Sequence, residues 1–286
     1  STQGVTLFPY TTLFRSKAES DLRVAPLLIG KSQSDTGSDV LVVMGGDAVA
    51  GGVPRGLTDP GNANTLVMDN TVGVSAGDLV LVSQQGTTDC LLEQVSGVSS
   101  KVLTLGGKYY TAGKTTSLET LAASTSTYVT PLGNPANGNV QFQVFGVGDN
   151  RTLVSYDLLQ GAGGTTQALA DSVAELRAIY GVDTNGDGIL DSWADPGTTG
   201  FDIATVMQTP KTMQQIVAVR IALVMRSASQ EKETVSPAQL KLFGNDFLDA
   251  SRNPITQTVT LSDDDRRYRQ RVVEFTIPLR NMLLLP

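Results

Sequence analysis

The chain has 286 residues, 21 Lys and Arg against 28 Asp and Glu, a formal net charge of −7, and no histidine. A chain of this size removes about 75% of its unfolded surface from water, so it can hold a core without disulfides or metal. The negative balance disfavours nucleic acid as a partner, and the lack of histidine excludes Ser-His-Asp triads, Cys-His dyads and His-ligated zinc or haem.

Cys90 is the single cysteine, so no internal disulfide forms, and it reads as a small buried apolar residue in preference to one left unpaired by loss of a partner. The longest apolar stretch, Ile216 to Met225, carries Arg220 and is too short to span a bilayer, which takes about 20 residues.

Taken from the start, Thr6 to Ser16 reads TLFPYTTLFRS, without helical or alternating period. It resembles the translation of a sequencing-adapter oligonucleotide, so residues 1–16 are read as adapter-derived and set aside from the fold. Ala18 to Ala25 has helix-compatible composition that Pro26 terminates, and residues 17–30 are read as the end of a helix. From Asp39 onward the pattern changes to short β-branched or alternating runs separated by Gly, Asn, Asp or Pro, a meander of antiparallel strands. Thr111 to Thr130 is Thr- and Ser-rich and reads as strand or loop. Thr166 to Tyr180, with Leu169, Val173, Leu176 and Tyr180 three or four apart, reads as a short helix or turn followed by a strand. Ile216 to Arg226 alternates Val217, Val219, Ile221 and Leu223 against Ala218, Arg220 and Ala222 and is expected in the middle of a sheet. Pro237 to Phe243 suggests a helical turn. Arg271 to Leu279 is a final strand, placed at a sheet edge by Pro278. The fold class expected is α+β, predominantly antiparallel β, with residues 31–286 as one β-rich domain.

Three motifs resemble catalytic ones and fail. Gly73-Val-Ser75-Ala-Gly77 has the nucleophile spacing but no histidine base and a strand after it, so it reads as a turn. Gly107 to Thr115 has five residues between Gly107 and Gly113 where a phosphate loop needs four. Gly161 to Gly164 lacks the third glycine of a dinucleotide fingerprint. The acids Asp263, Asp264 and Asp265 beside Arg266, Arg267, Arg269 and Arg271 read as a surface charge cluster or a docking surface.

One loop has chemistry-bearing spacing. Asp183, Asn185, Asp187 and Asp191, with the carbonyl of Ile189, match the first nine places of a calcium loop, in which alternate oxygens curl onto one ion. The twelfth place is Ala194 instead of a bidentate glutamate, so any Ca2+ affinity is expected in the millimolar class. The alternative is an Asx-rich turn between strands with no metal.

Val173 to Trp193, Ile216 to Arg226 and Tyr268 to Asn281, together with Asp21-Leu22-Arg23-Val24-Ala25 upstream, resemble the type IV pilus minor pilin family PilW, and in their order the J-class pseudopilins of type II secretion. That resemblance implies a non-catalytic periplasmic, pilin-like head in the bacterial cell envelope, which packs with other minor pilins and the pilus fibre to initiate assembly. It further implies a leader peptide and a membrane-anchoring helix, most of which this chain lacks, and an open sheet with one flank bare for that helix. The rival readings are a secreted calcium-dependent adhesin or carbohydrate-binding β-domain, and a glycosidase using only carboxylates.

Overall fold

Residues 25–84, 90–110 and 116–279 are described by a computed structural model. The adapter-like string and residues 17–24 of the expected helix end lie outside these residues. In chain order the first half contains β1 (Leu27–Gly30), β2 (Val40–Gly46), β3 (Arg55–Asn62), β4 (Thr65–Met68), β5 (Leu79–Gln84), β6 (Cys90–Ser99), β7 (Val102–Leu105), α1 (Thr116–Ala122) and β8 (Thr127–Gly133). The second half continues with β9 (Val140–Gly148), β10 (Thr152–Asp157), β11 (Gln167–Ala170), β12 (Val173–Val182), β13 (Ser192–Ala194), α2 (Ile203–Gln208), α3 (Pro210–Gln214), β14 (Ile216–Arg226), β15 (Gln239–Leu242), β16 (Gln257–Thr260) and β17 (Gln270–Pro278). The described chain is mostly antiparallel β with short helices, as its alternation implied.

Residues 31–286, read as one domain, comprise parts of two compact units: Met44–Phe142, and the chain up to Val43 together with Gln143 onward. The first of these corrects the expectation of an open sheet throughout. Its six strands close into a barrel in the order β3-β4-β7-β6-β5-β8, sealed by β3 against β8, with Arg55 opposite Val129 and Gly56 opposite Tyr128. Leu66, Met68, Val80, Val82, Leu103 and Val129 fill the interior, each fully buried. Such side chains contribute about 1.5–3 kcal/mol each relative to exposure. The Thr-rich stretch read as strand or loop holds α1, because Leu118, Leu121 and Ala122 recur at helical spacing and all face this core. The Thr127 hydroxyl then donates to the Leu121 carbonyl at 2.6 Å, ending the helix.

At one place two barrel loops are clamped together. Arg55 donates to the Val72 carbonyl at 2.7 Å and to the Ala50 carbonyl at 3.0 Å. Gly73 has φ +77°, and a Cβ there would lie 2.9 Å from the Ala50 Cα, so both its conformation and its contact call for glycine. The barrel begins and ends at adjacent residues: the Asp47 amide donates to the Asn139 carbonyl at 2.7 Å, and the Asn139 side-chain amide donates to the Asp47 carbonyl at 3.0 Å.

The other unit contains a five-stranded sheet in the order β1-β2-β9-β10-β11, a four-stranded sheet β13-β12-β14-β17, and the β15-β16 pair. β14 lies inside its sheet and β17 at the edge, as expected. On one face of β14, Ala218, Ala222 and Val224 pack with Trp193, Leu242 and Phe243, and Trp193 meets Phe247 edge-on at 5.2 Å. On the other face, Val217, Val219 and Ile221 are buried.

Three segments depart from their sequence readings. Leu27–Gly30, counted with the helix end, is a strand, paired with β2 from Leu27 opposite Val43 to Gly30 opposite Val40. Thr166 to Tyr180 contains strands β11 and β12 and no helix; a bulge between Val173 and Glu175 switches the strand's parity. Val173 and Leu176 therefore share a face three residues apart, which imitates a helical period. Gln239–Leu242, expected as a helical turn, pairs with β16.

Asp39 ties the stretch between β1 and β2 to β12. Its carboxylate accepts from the Ser32 amide at 2.8 Å, the Ala178 amide at 2.9 Å and Arg177 at 3.0 Å, while the other Arg177 nitrogen pairs with Glu175 at 2.7 Å. Burial pushes the Asp39 carboxyl above its ordinary range, and the amides and Arg177 oppose that. Burial likewise raises Glu175.

Candidate functional site

The Asp-rich loop joins β12 to β13, which pair through Val182 opposite Ser192. Asp183 is buried at its base and organises it: Oδ1 accepts from the amides of Asn185 at 3.2 Å and Gly186 at 2.7 Å, and Oδ2 from that of Gly188 at 2.7 Å. Asn185 Oδ1 accepts from the Asp187 amide at 2.9 Å, and Asp187 Oδ1 from the Ile189 amide at 2.8 Å. This is a run of Asx turns. Asp191 accepts from the Thr184 hydroxyl and amide at 2.6 and 2.8 Å, and these bonds hold its carboxyl below the usual range. Gly186 and Gly188 have φ of +81° and +82°, which the reversal requires. Ile189 is exposed, while Leu190 reaches back over Gly181, where a Cβ would lie 2.4 Å from it.

Among the described residues no three His, Cys, Asp or Glu side chains are grouped so that one ion could be shared. The buried position of Ala194 in β13 leaves the twelfth calcium place without an oxygen side chain. The loop's own hydrogen bonds account for its conformation.

The remaining candidates lie on different elements. Ser75 lies in a turn, where its amide donates to Asp78 at 2.9 Å, and β5 follows. The acid–arginine run around residue 265 is partly internal. Asp265 pairs with Arg151 at 2.6 Å and Arg226 at 3.5 Å, and the Arg226 guanidinium lies 3.9 Å from the Tyr268 ring centroid. Arg269 pairs with Glu231 at 3.0 Å on the surface. Cys90 opens β6, and its side chain lies outside the described residues, as do Thr111 to Thr115 of the phosphate-loop lookalike.

The edge position of β17 was expected; what the sequence reading did not single out is its exposed apolar face. One of its faces is anchored: Glu274 takes Arg220 at 2.8 Å and the Phe243 amide at 2.9 Å, and Arg220 stacks on Phe247 at 4.4 Å. The opposite face presents Val273, Phe275 and Ile277, exposed by 38%, 38% and 42%, which places large apolar groups in water at a sheet margin. Their strict alternation in the sequence was the available signal. Among the described residues no helix is long and apolar enough to cross a membrane.

No curated protein and no solved structure matches this chain. Residues 140–281, which carry β9 to β17, match the family described as PilW, type IV pilus-assembly protein W. The barrel lies almost wholly outside that match. Through residues 140–281, the chain belongs to the PilW family of type IV pilus-assembly proteins.

Proposed function

We propose that the protein is a non-catalytic minor pilin, related to the J-class pseudopilins, that helps initiate pilus assembly by packing with other minor pilins. Its head would stand in the periplasm or in the fibre, held by an N-terminal membrane helix. The supporting observation is that the family-matched half carries an open sheet whose last strand, β17, sets apolar side chains on its margin. Association through such a margin needs no catalytic group.

Deleting the gene in a piliated host is expected to reduce sheared surface pili severely, with recovery on complementation by the intact gene. Co-purification of the complemented protein with other minor pilins is the second readout. Normal piliation in the deletion strain would refute the assembly role.

Calcium binding by Asp183, Asn185, Asp187, the Ile189 carbonyl and Asp191 is a separate proposal that rests on their spacing. If it holds, millimolar calcium raises the melting temperature over that in chelator, and Asp187→Ala abolishes the difference. Superimposable melts identify the loop as a self-bonded Asx turn.

A further inference from the structure

We infer that the outer edge of β17 is a strand-addition site, filled by an extended segment of a neighbouring pilus subunit with apolar residues at alternate positions and an acidic residue at its end. This deepens the assembly reading above and rests on it. Leu279 donates its amide to the Val217 carbonyl at 2.8 Å, and Ser227 donates to the Arg269 carbonyl at 2.9 Å. In the unbroken register that runs from Arg226 opposite Gln270 to Ala218 opposite Pro278, the odd-numbered residues of β17 thus bond to β14. The even-numbered ones turn their N–H and C=O groups outward.

The two ends of that outward row are closed. Gln270 donates its amide to the Ser236 hydroxyl at 3.2 Å, and that hydroxyl donates to the Tyr268 carbonyl at 2.6 Å. Pro278 has no N–H to offer. Between them, Val272, Glu274 and Thr276 present three donors and three acceptors over about 16 Å, and no described strand pairs with them. Edges of this length are ordinarily blunted by a bulge, a lysine or an inward charge. Neither a bulge nor a lysine interrupts Val272 to Ile277, and the one inward charge, Glu274, is neutralised by Arg220.

The side chains select the occupant. Val273, Phe275 and Ile277 share one face with Arg271, which is exposed and has no ion-pair partner among the described residues. Apolar groups at every second place with an acid at the end would match that stripe. A helix laid there would cover the side chains and leave the six backbone groups unpaired, whereas a strand satisfies both.

The probe is the nonapeptide Glu-Thr-Val-Thr-Val-Thr-Val-Thr-Glu, whose terminal acids suit either strand direction, titrated onto the whole chain. Saturable binding is expected, weakened about tenfold by Thr276→Pro, which removes one outward donor, and again by Phe275→Lys. Both variants should melt as cooperatively as the parent, because the Thr276 amide does not bond β14. N-methylation of the amides that would face the edge, those of the peptide's threonines in an antiparallel strand and of its valines in a parallel one, should abolish binding.

Absence of binding, or binding indifferent to N-methylation and to Thr276→Pro, overturns the inference. So does a dimer of the chain alone that Thr276→Pro dissolves, since a second copy would then be the occupant. Binding seen only after removal of residues 280–286 would assign the edge to the chain's own end. In the host, lost piliation with Thr276→Pro supports the inference. Normal piliation with that variant, but not with the gene deleted, overturns it and leaves the assembly reading intact.

Discussion

Asp39→Ala is expected to lower the stability of the unit containing the four-stranded sheet by about 3 kcal/mol, the low end for breaking a buried ion pair. Arg177 would lose one partner, and the amides of Ser32 and Ala178 would lose their acceptor. Glu175 keeps hold of the other Arg177 nitrogen, which limits the loss. Trp193, the chain's single tryptophan, lies in this unit and is buried, so its fluorescence during urea unfolding isolates the effect. An unchanged midpoint would show that the contact is dispensable.

The same site has a pH signature. The folded Asp39 carboxyl binds its proton more tightly than the unfolded one, because burial outweighs the amides and Arg177. Its contribution is therefore fully present below the ordinary carboxylate pKa, about 4, and is lost as pH rises through the folded value. Asp39→Asn does not titrate, so the stability of the parent relative to that variant should decline as pH rises from about 4. A difference that grows with pH would reverse the assignment.

Leu103→Ala should cost the barrel about 2–5 kcal/mol, the range for removing a buried leucine from a closed core. Its effect is expected in the far-ultraviolet dichroism of the barrel strands, with the Trp193 transition unmoved, because the barrel core contains no residue of the other unit. Equal shifts in both signals would mean that the two cores unfold as one.

β14 and β17 were readable because each alternates two kinds of side chain, Val, Ile and Leu against Ala and Arg in β14 and Val273, Phe275 and Ile277 against Glu274 and Thr276 in β17. β12 was obscured by a bulge that no local composition announces: one extra residue converts an alternating run into the three-residue spacing of a helix. The barrel's closure depends on Arg55 meeting Val129. A pairing between such distant residues leaves no trace in either short strand. The Asx-loop spacing was legible down to the individual residue, since Asp183, Asn185 and Asp187 each accept an amide two places on. What the spacing did not reveal is where those oxygens point. For β17 the alternation was visible, but only the register with β14 tells which amides look outward.

The contact between Asp47 and Asn139 makes the barrel an insertable segment. A polypeptide that departs and returns at one hydrogen-bonded pair can exchange everything between without relocating either end, and lengthening a loop raises the entropic cost of closing it only logarithmically. The ninety-odd intervening residues can thus be lengthened or replaced without moving the two ends that this pair holds together.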